Sequence, residues 1–367
     1  MPEPGDAVKP TATPDPTAPA RAPRPAREVP GAVPPTDWAN TKERSNALAI
    51  RVMAWIAMFC GRRVARLVLH PITLYFLLFA PTPRRHSARY LGRALGRPAH
   101  WRDQYRHFHA FAATVLDRVY LLRGRLDLFD IRHGGEEKVF ATLGEGRGAF
   151  LLGAHIGSFE AMHAVAQPNQ RLRMAMIMFP DNARLISSAL AAIAPDYKPN
   201  IISLGRIEST LVVRDWLDGG GLAGMLGDRS LPMESQRVGV LGVPFLGTEA
   251  YFSDGPFRLA TLLKRRVFFM VGLYEGGKRY DVRIDLLADF SERLDSPQAR
   301  EQRIRAAVVE YAARLEALCL ERPYNWFNFF DFWNEEKTQE PTQELTQKQT
   351  QEQTQEQTQE QTHKETA

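Results

Sequence analysis

Residues 149–154 read AFLLGA and lead directly into residues 155–160, HIGSFE. The first run is apolar throughout and is bounded by Gly148 and the polar His155, which is typical of a short strand buried on both faces. Strands of this kind occur mainly in parallel sheets that helices cover on both sides. We therefore predict an α/β fold with a mostly parallel central sheet flanked by helices.

The chain on both sides of this run alternates between strand and helix patterns. Helix periodicity marks residues 101–122, 181–193, 208–217, 256–264 and 296–322. Short apolar runs predict further strands at residues 174–179, 201–204, 222–226, 267–274 and 280–287. The last two strands flank Gly276-Gly277, so we expect a hairpin at one edge of the sheet.

The two ends of the chain have the composition of disordered segments. Residues 1–36 are rich in Pro, Ala and Thr, and residues 335–367 carry a four-residue repeat that settles into TQEQ. Neither segment has an apolar stripe that would bury enough surface to offset the loss of chain entropy. We predict a disordered linker at 1–36, a helical segment at 37–95, a folded α/β domain at 96–334 and a disordered tail at 335–367.

The helical segment contains a strongly apolar stretch at residues 46–80, interrupted by Arg62-Arg63 and by His70-Pro71. Neither half reaches the roughly 20 apolar residues of a comfortable membrane span. One interpretation is a membrane-associated helical segment, tilted or re-entrant, whose arginines face anionic headgroups. The other is a set of ordinary buried helices. Arginines interleaved with aromatic residues favour the membrane.

Charge and composition narrow the possible partners and cofactors. The formal net charge of +5 indicates an anionic partner, which leaves nucleic acid, phospholipid headgroups and an acidic carrier protein open.

Cys60 and Cys319 lie far apart in apolar runs, so neither a disulfide framework nor a thiolate metal site is expected. Gly219, Gly221 and Gly224 fit G-x-G-x-x-G, but they follow a helix and open a strand, the reverse of a dinucleotide-binding unit. We predict no metal and no cofactor.

His155 and Glu160 are the candidate catalytic pair. Side chains five residues apart on one helix point about 140° away from each other, so these two meet only across a turn. Gly157 and Ser158 supply a turn and leave Glu160 in the first turn of the next helix, where the macrodipole favours its ionised form. We expect Glu160 to accept a hydrogen bond from one imidazole nitrogen, so that the other nitrogen is a general base. The backbone N–H groups of residues 157–159 are predicted to face a developing oxyanion.

The spacing of this pair is weak evidence by itself. In a chain of this composition, about one His followed by an acid at the fifth place is expected by chance. A His155 that merely satisfies a carbonyl group at the strand end therefore remains the alternative.

Three longer runs resemble the late acyltransferases of bacterial lipid A biosynthesis, a branch of the lysophospholipid acyltransferase superfamily. They are GAHIGSFEAM at 153–162, GDRSLP at 227–232 and RVGVLGVPFLGTEAYFSDGPFRLA at 237–260. In that family a His and an acid with four residues between them form the catalytic motif, which implies that His155 is the base and Glu160 its partner. The resemblance also implies an acyl donor on acyl carrier protein or coenzyme A, a lipid or glycolipid acceptor, and a place at the cytoplasmic face of the bacterial inner membrane. A nucleic acid partner is not expected.

The resemblance extends to substrate-binding residues. Arg229, which follows Asp228 at a predicted strand end, is expected to hold an acceptor phosphate or to polarise the acyl carbonyl group, with a strand-end ion pair as the alternative. Gly157, Ser158 and Asp228 are assigned to the substrate site. Arg184 is assigned there too, although it is displaced from the family's usual Arg.

Two further runs match the family less specifically. Residues 244–247 match an apolar loop, for which the alternative is a simple turn between elements. PYNWFNFFDFW at 323–333 resembles the family's aromatic ending, and these aromatics suit a core as well as a membrane interface.

Together these features predict an enzyme that transfers a fatty acyl group from a carrier thioester to a hydroxyl group of a lipid or glycolipid, without a covalent intermediate. One alternative is an acyl thioesterase that uses the same pair with water as the acceptor. The other is a non-catalytic lipid-binding protein that has this fold.

Overall fold

The computed structural model of the protein describes residues 59–166, 172–180, 187, 190, 194, 197–205, 207–229, 239–292 and 296–333. They belong to the larger of the two units of the chain, Arg44–Ala367. The predicted linker at 1–36 and tail at 335–367 lie outside the described residues, as do Arg184 and most of the helix predicted at 181–193.

Eight α-helices lie within the described residues. They are α1 (Gly61–Phe79), α2 (Pro81–Leu95), α3 (Trp101–Leu121), α4 (Glu136–Gly144), α5 (Phe159–Ala166), α6 (Ile207–Asp218), α7 (Gly255–Leu263) and α8 (Pro297–Glu321). Helix α8 begins as its sequence indicates, because the Ser296 hydroxyl accepts the Ala299 N–H at 3.0 Å and Pro297 occupies the first turn. The helices predicted at 101–122, 208–217, 256–264 and 296–322 are confirmed within one residue at each end.

Within the described residues, nine strands form two sheets. The strands are β1 (Asp130–Gly134), β2 (Ala149–Gly153), β3 (Met174–Met178), β4 (Ile201–Ser203), β5 (Leu222–Leu226), β6 (Val240–Phe245), β7 (Thr248–Ser253), β8 (Arg266–Gly276) and β9 (Arg279–Asp289). The main sheet has the order β1-β9-β8-β2-β5-β3-β4, and β8, β2, β5, β3 and β4 are parallel to one another. The α/β fold with a mostly parallel sheet is thereby confirmed.

One strand prediction needs correction. The β8–β9 hairpin exists, but it does not lie at the sheet edge, because β1 pairs in parallel with β9 and forms that edge. Strand β1 reads DIRHG and is mostly exposed, so it has no apolar pattern to reveal it. Residues 244–247 lie at the tip of the separate antiparallel hairpin β6–β7, where Pro244 and Phe245 end β6 and Leu246-Gly247 form the turn that was the alternative to an apolar loop.

Strand β2 occupies the middle of the main sheet and contributes to both hydrophobic cores. Phe150 and Leu152 pack in the cluster that contains the buried side of α8, whereas Ala149 and Leu151 pack in the cluster that contains buried residues of α3 and α5. Alternate side chains of a strand point to opposite faces of a sheet, so AFLLG is apolar throughout because both of its faces are covered. This placement positions the segment that follows β2 at the carboxyl edge of the parallel strands.

Helix α1 is attached to the rest of the unit by a buried ion pair. Nε and Nη2 of Arg62 each lie 2.8 Å from an oxygen of Asp117 on α3, and the Tyr280 hydroxyl donates to the same carboxylate at 2.9 Å. Burial opposes the charge on Arg62, but its bonds with Asp117 outweigh that effect and raise the pKa of the guanidinium. The described part of the predicted segment 37–95 therefore packs on the α/β domain.

The opposite face of α1 remains apolar and exposed. Leu67, Leu74 and Leu78 all point into solvent, and so do Tyr75 and several neighbours. Among the described residues, α1 and α2 satisfy the length and hydropathy of a membrane span only as a pair bent by 95°, and no helix does so alone. Residues 37–58 of the predicted segment lie outside the described residues.

Candidate active site

The segment that links β2 to α5 is held by the C-terminal part of the chain. The Phe327 N–H donates to the His155 carbonyl oxygen at 2.8 Å, and the Gly157 N–H donates to the Asn325 carbonyl oxygen at 2.9 Å. These two bonds form a short antiparallel bridge, centred on Ile156, between the segment and the chain after α8. These hydrogen bonds hold the backbone at His155 in one position. The Cα atom from which the imidazole extends is therefore fixed.

Gly157 lets this segment approach β8 closely. Its φ is +64°, and a Cβ atom there would lie 2.0 Å from the Gly272 carbonyl oxygen, so no other residue fits without movement. The Ser158 N–H donates to that same oxygen at 2.7 Å. The N–H groups of Gly157 and Ser158 are both engaged in the fold, and the prediction that they face an oxyanion is wrong for these two residues.

The imidazole of His155 pairs with a carboxylate from the neighbouring strand β5. Nδ1 of His155 lies 2.8 Å from Oδ1 of Asp228, and the His155 backbone N–H donates to Oδ2 at 2.9 Å. The Trp326 indole N–H donates to Oδ2 as well, at 2.9 Å. Asp228 is 3% exposed, so these three N–H groups replace water around its two oxygens.

The surroundings of Asp228 keep it ionised. Burial favours the neutral acid, but the charge and hydrogen bond of His155, the charge of Arg229 and the hydrogen bond from Trp326 outweigh burial and lower the pKa of the carboxyl well below its usual range. An ionised carboxylate only accepts hydrogen bonds, so Nδ1 of His155 carries the proton that they share. Whenever the imidazole is neutral, Nε2 therefore holds the basic lone pair, and the His155 side chain is 30% exposed. This arrangement makes Nε2 a proton acceptor that a ligand can reach.

Glu160 is not the partner of His155 in the structure. Its Oε1 lies 2.6 Å from Nε of Arg118 on α3, and its Oε2 accepts the Ser158 hydroxyl at 3.2 Å. The same hydroxyl accepts the Ala161 N–H at 3.2 Å. Glu160 and Ser158 thus stabilise the start of α5 and its packing on α3, and the predicted His155–Glu160 hydrogen bond is replaced by the bond from His155 to Asp228.

Arg229 is exposed next to this pair. Its guanidinium carbon lies 5.0 Å from the centre of the Phe330 ring, which matches cation–π stacking. His155 and Asp228 thus lie together at one edge of the sheet, and Arg229, the next residue in the chain, is close enough for its charge to lower the pKa of Asp228. Arg184 lies outside the described residues, and its predicted role stays a prediction.

From the sequence, Asp228 is expected in the substrate site as a binding residue, and Trp326 is not expected to take part in the site. Both residues stand in runs that the sequence singles out, since GDRS follows a buried strand and NWF lies in the aromatic ending, but neither run shows which side chain faces His155. Within the described residues, no three His, Cys, Asp or Glu side chains are grouped as metal ligands would be.

Among known proteins, no family model and no curated sequence matches the chain.

Proposed function

We propose that this protein transfers a fatty acyl group from a thioester to a hydroxyl group of a lipid or glycolipid, with His155 as the general base. The observation that carries the proposal is the bond from Nδ1 of His155 to the buried carboxylate of Asp228, which leaves Nε2 as the ring nitrogen that a ligand can reach, on a side chain that is 30% exposed. The resemblance of residues 153–162, 227–232 and 237–260 to the late acyltransferases of lipid A biosynthesis supports the acyl chemistry.

The reaction proceeds by direct attack of the acceptor. Nε2 of His155 removes the proton of the acceptor hydroxyl while its oxygen forms a bond with the thioester carbonyl carbon. Asp228 stabilises the imidazolium that results, because its negative charge faces Nδ1. The tetrahedral intermediate then collapses, the carbon–sulfur bond breaks, and the imidazolium returns its proton to the leaving sulfur. The products are an ester and a free thiol, and the enzyme is unchanged.

Arg229 is the candidate for stabilising negative charge during this reaction. It is an exposed cation beside Asp228, and a guanidinium forms two parallel hydrogen bonds with a phosphate or stabilises a carbonyl oxygen that gains charge. This role replaces the oxyanion contacts that Gly157 and Ser158 do not provide.

The net charge of the chain and the exposed face of α1 support the proposed donor and location. The net charge of +5 suits an acidic acyl carrier protein as donor, with acyl-coenzyme A as the other thioester of the same class. The exposed leucines of α1 and the exposed Arg63, Arg84 and Arg85 suit the surface of an anionic membrane, which would bring the lipid acceptor to the site. The cytoplasmic face of a bacterial inner membrane is the location that supplies both substrates.

A transfer assay tests this function. Purified protein is incubated with dodecanoyl-acyl carrier protein and a lipid extract of Gram-negative inner membranes, and products are identified by mass spectrometry. We expect a lipid whose mass has increased by one dodecanoyl group, and we expect His155→Ala to abolish it while the variant stays folded. Free fatty acid formed equally with and without lipid would indicate a thioesterase instead. Equal transfer by His155→Ala would contradict the proposal, and no reaction with any donor would favour a lipid-binding protein.

A further inference from the structure

The segment after α8 contacts both members of the His155–Asp228 pair. Its backbone bonds with His155 and Gly157, while the indole of Trp326 bonds with Asp228. We propose that Trp326 is a positioning residue, which holds the Asp228 carboxylate in the one orientation that fixes the His155 imidazole. This inference deepens the proposed acyl transfer and rests on it.

The contacts of Asp228 hold its carboxylate in one orientation. Oδ1 faces Nδ1 of His155, and Oδ2 receives two N–H groups, from the backbone of His155 and from Trp326. Without the indole N–H, Oδ2 keeps only the backbone bond, and the carboxylate gains freedom to rotate away from Nδ1. Hydrogen bonds to an ionised acceptor are among the stronger ones, so losing this bond should weaken the hold on the carboxylate.

The indole of Trp326 is itself held rigidly. Its side chain is 1% exposed and meets the rings of Tyr90, Phe245 and Phe332 edge-on, with centroid distances of 5.0, 5.4 and 4.9 Å. These perpendicular contacts fix the plane of the ring. The direction of its N–H is therefore set by packing and not by Asp228.

The backbone of Trp326 is held from the other side by a buried histidine. Nε2 of His107 lies 2.8 Å from the Trp326 carbonyl oxygen, and since a carbonyl only accepts, Nε2 carries the proton. Nδ1 of His107 then accepts the Ser87 hydroxyl at 2.8 Å. His107 is completely buried, so this chain of contacts anchors Trp326 to α2 and α3.

Trp333 provides a matched control. Its ring packs against Trp326, Phe245 and Phe332 in the same cluster, and its indole nitrogen is buried without a hydrogen-bond partner in the described structure. Trp333→Phe removes the same atoms as Trp326→Phe but no hydrogen bond. A Trp326 variant with benzothienylalanine, in which sulfur replaces the N–H, keeps the shape of the ring if Trp326→Phe folds poorly.

Two measurements on full-length protein test the proposal. Nitrogen-15 NMR of labelled histidine, with the His155 signals identified by their loss in His155→Gln, reports which ring nitrogen carries the proton. Steady-state acyl transfer from dodecanoyl-acyl carrier protein to inner-membrane lipid extract gives kcat and KM. We expect a single Nδ1–H form in wild type and in Trp333→Phe. In Trp326→Phe and in the benzothienylalanine variant we expect mixed forms and a kcat lower by about ten- to a hundredfold with little change in KM.

The outcomes separate the inference from the function on which it rests. An unchanged protonation form in both Trp326 variants would overturn the positioning role, and so would equal losses of kcat in Trp326→Phe and Trp333→Phe. If the NMR result holds but no protein transfers acyl groups, the proposed function fails while the contact between Trp326 and the pair is upheld.

Discussion

Nδ1 of His155 lies 2.8 Å from Oδ1 of Asp228, although 73 positions separate the two residues in the chain. The register of two neighbouring strands produces this contact. Gly153 at the end of β2 pairs with Leu226 at the end of β5, and His155 and Asp228 each follow two residues later. Because the strands are parallel, both side chains emerge at the same edge of the sheet.

The first prediction separates the two carboxylates that compete for His155. Asp228→Asn replaces the acceptor at Nδ1 by an amide, so we expect the ring to lose its uniform Nδ1–H form and kcat to fall by about a hundredfold or more. Glu160→Gln should leave the protonation form of His155 unchanged, because Glu160 contacts Arg118 and Ser158. Histidine nitrogen-15 NMR makes the comparison. A change with Glu160→Gln but none with Asp228→Asn would restore Glu160 as the partner.

The second prediction concerns the close approach of Gly157 to β8. Gly157→Ala places a Cβ atom on the Gly272 carbonyl oxygen, whereas Gly96→Ala at a nearly equal φ of +63° has open space around it. Gly96→Ala should lower the free energy of unfolding by about 1 kcal/mol through backbone strain alone. Gly157→Ala should cost at least about 2 kcal/mol more, since the segment must move. Urea unfolding of both variants measures the two losses of free energy. Equal losses would show that the close approach to the Gly272 carbonyl oxygen does not affect stability.

The third prediction links stability to pH through His107. Burial lowers the pKa of His107 from 6.5 to about 4. Between these values the unfolded chain binds a proton that the folded protein does not, so stability falls as pH drops from about 6.5 to 4, by up to about 1.4 kcal/mol per pH unit for one group. Burial, with the charges of His70 and Arg66, lowers the pKa of His109 to about 4 as well, so two groups share this window. Urea unfolding across this pH window gives the free energy of unfolding as a function of pH. Its slope should be smaller for His107→Gln than for wild type, whatever the absolute stability of the variant. Identical slopes would contradict a neutral, buried His107.

The fourth prediction concerns the exposed face of α1. Leu67, Leu74 and Leu78 recur at helical spacing on one side of the helix, so changing all three to Ser should lower binding to phosphatidylethanolamine–phosphatidylglycerol vesicles by at least about tenfold. Leu211, Leu262 and Leu320 match them closely in exposure but lie on three different helices, α6, α7 and α8. The same change at these control positions should have little effect. Vesicle co-sedimentation measures both, and equal losses would argue against a membrane-binding face.

Much of the fold was readable from local patterns, because the buried parallel strands are continuous apolar runs. AFLLG and LAGML stand out for that reason, and α8 stands out by its spacing and its Ser296-Pro297 start. Strand β1 was not predicted, because an exposed edge strand needs no apolar residues. In the main sheet, an apolar run therefore predicts a strand that is buried, but no such run marks a strand that is exposed.

The site was only partly predictable. His155 was identified because a polar residue directly follows a buried strand, but the partner of its ring depends on which strand lies next to β2 and in which register. Chain order does not give that, since 73 positions separate His155 from Asp228. Glu160 was the nearer acid in sequence, yet the turn at Gly157 directs it towards Arg118. Long-range pairing, and not local spacing, selects the carboxylate.

The central claim is that His155 and Asp228 act as one unit in acyl transfer, and a double-mutant cycle tests it most directly. Single-turnover rates of transfer from dodecanoyl-acyl carrier protein to inner-membrane lipid extract would be measured for wild type, His155→Ala, Asp228→Asn and the double variant. Asp228 acts only through the imidazole, so the double variant should be no slower than His155→Ala alone. A double variant slowed by the product of the two single effects, or Asp228→Asn as fast as wild type, would contradict the account.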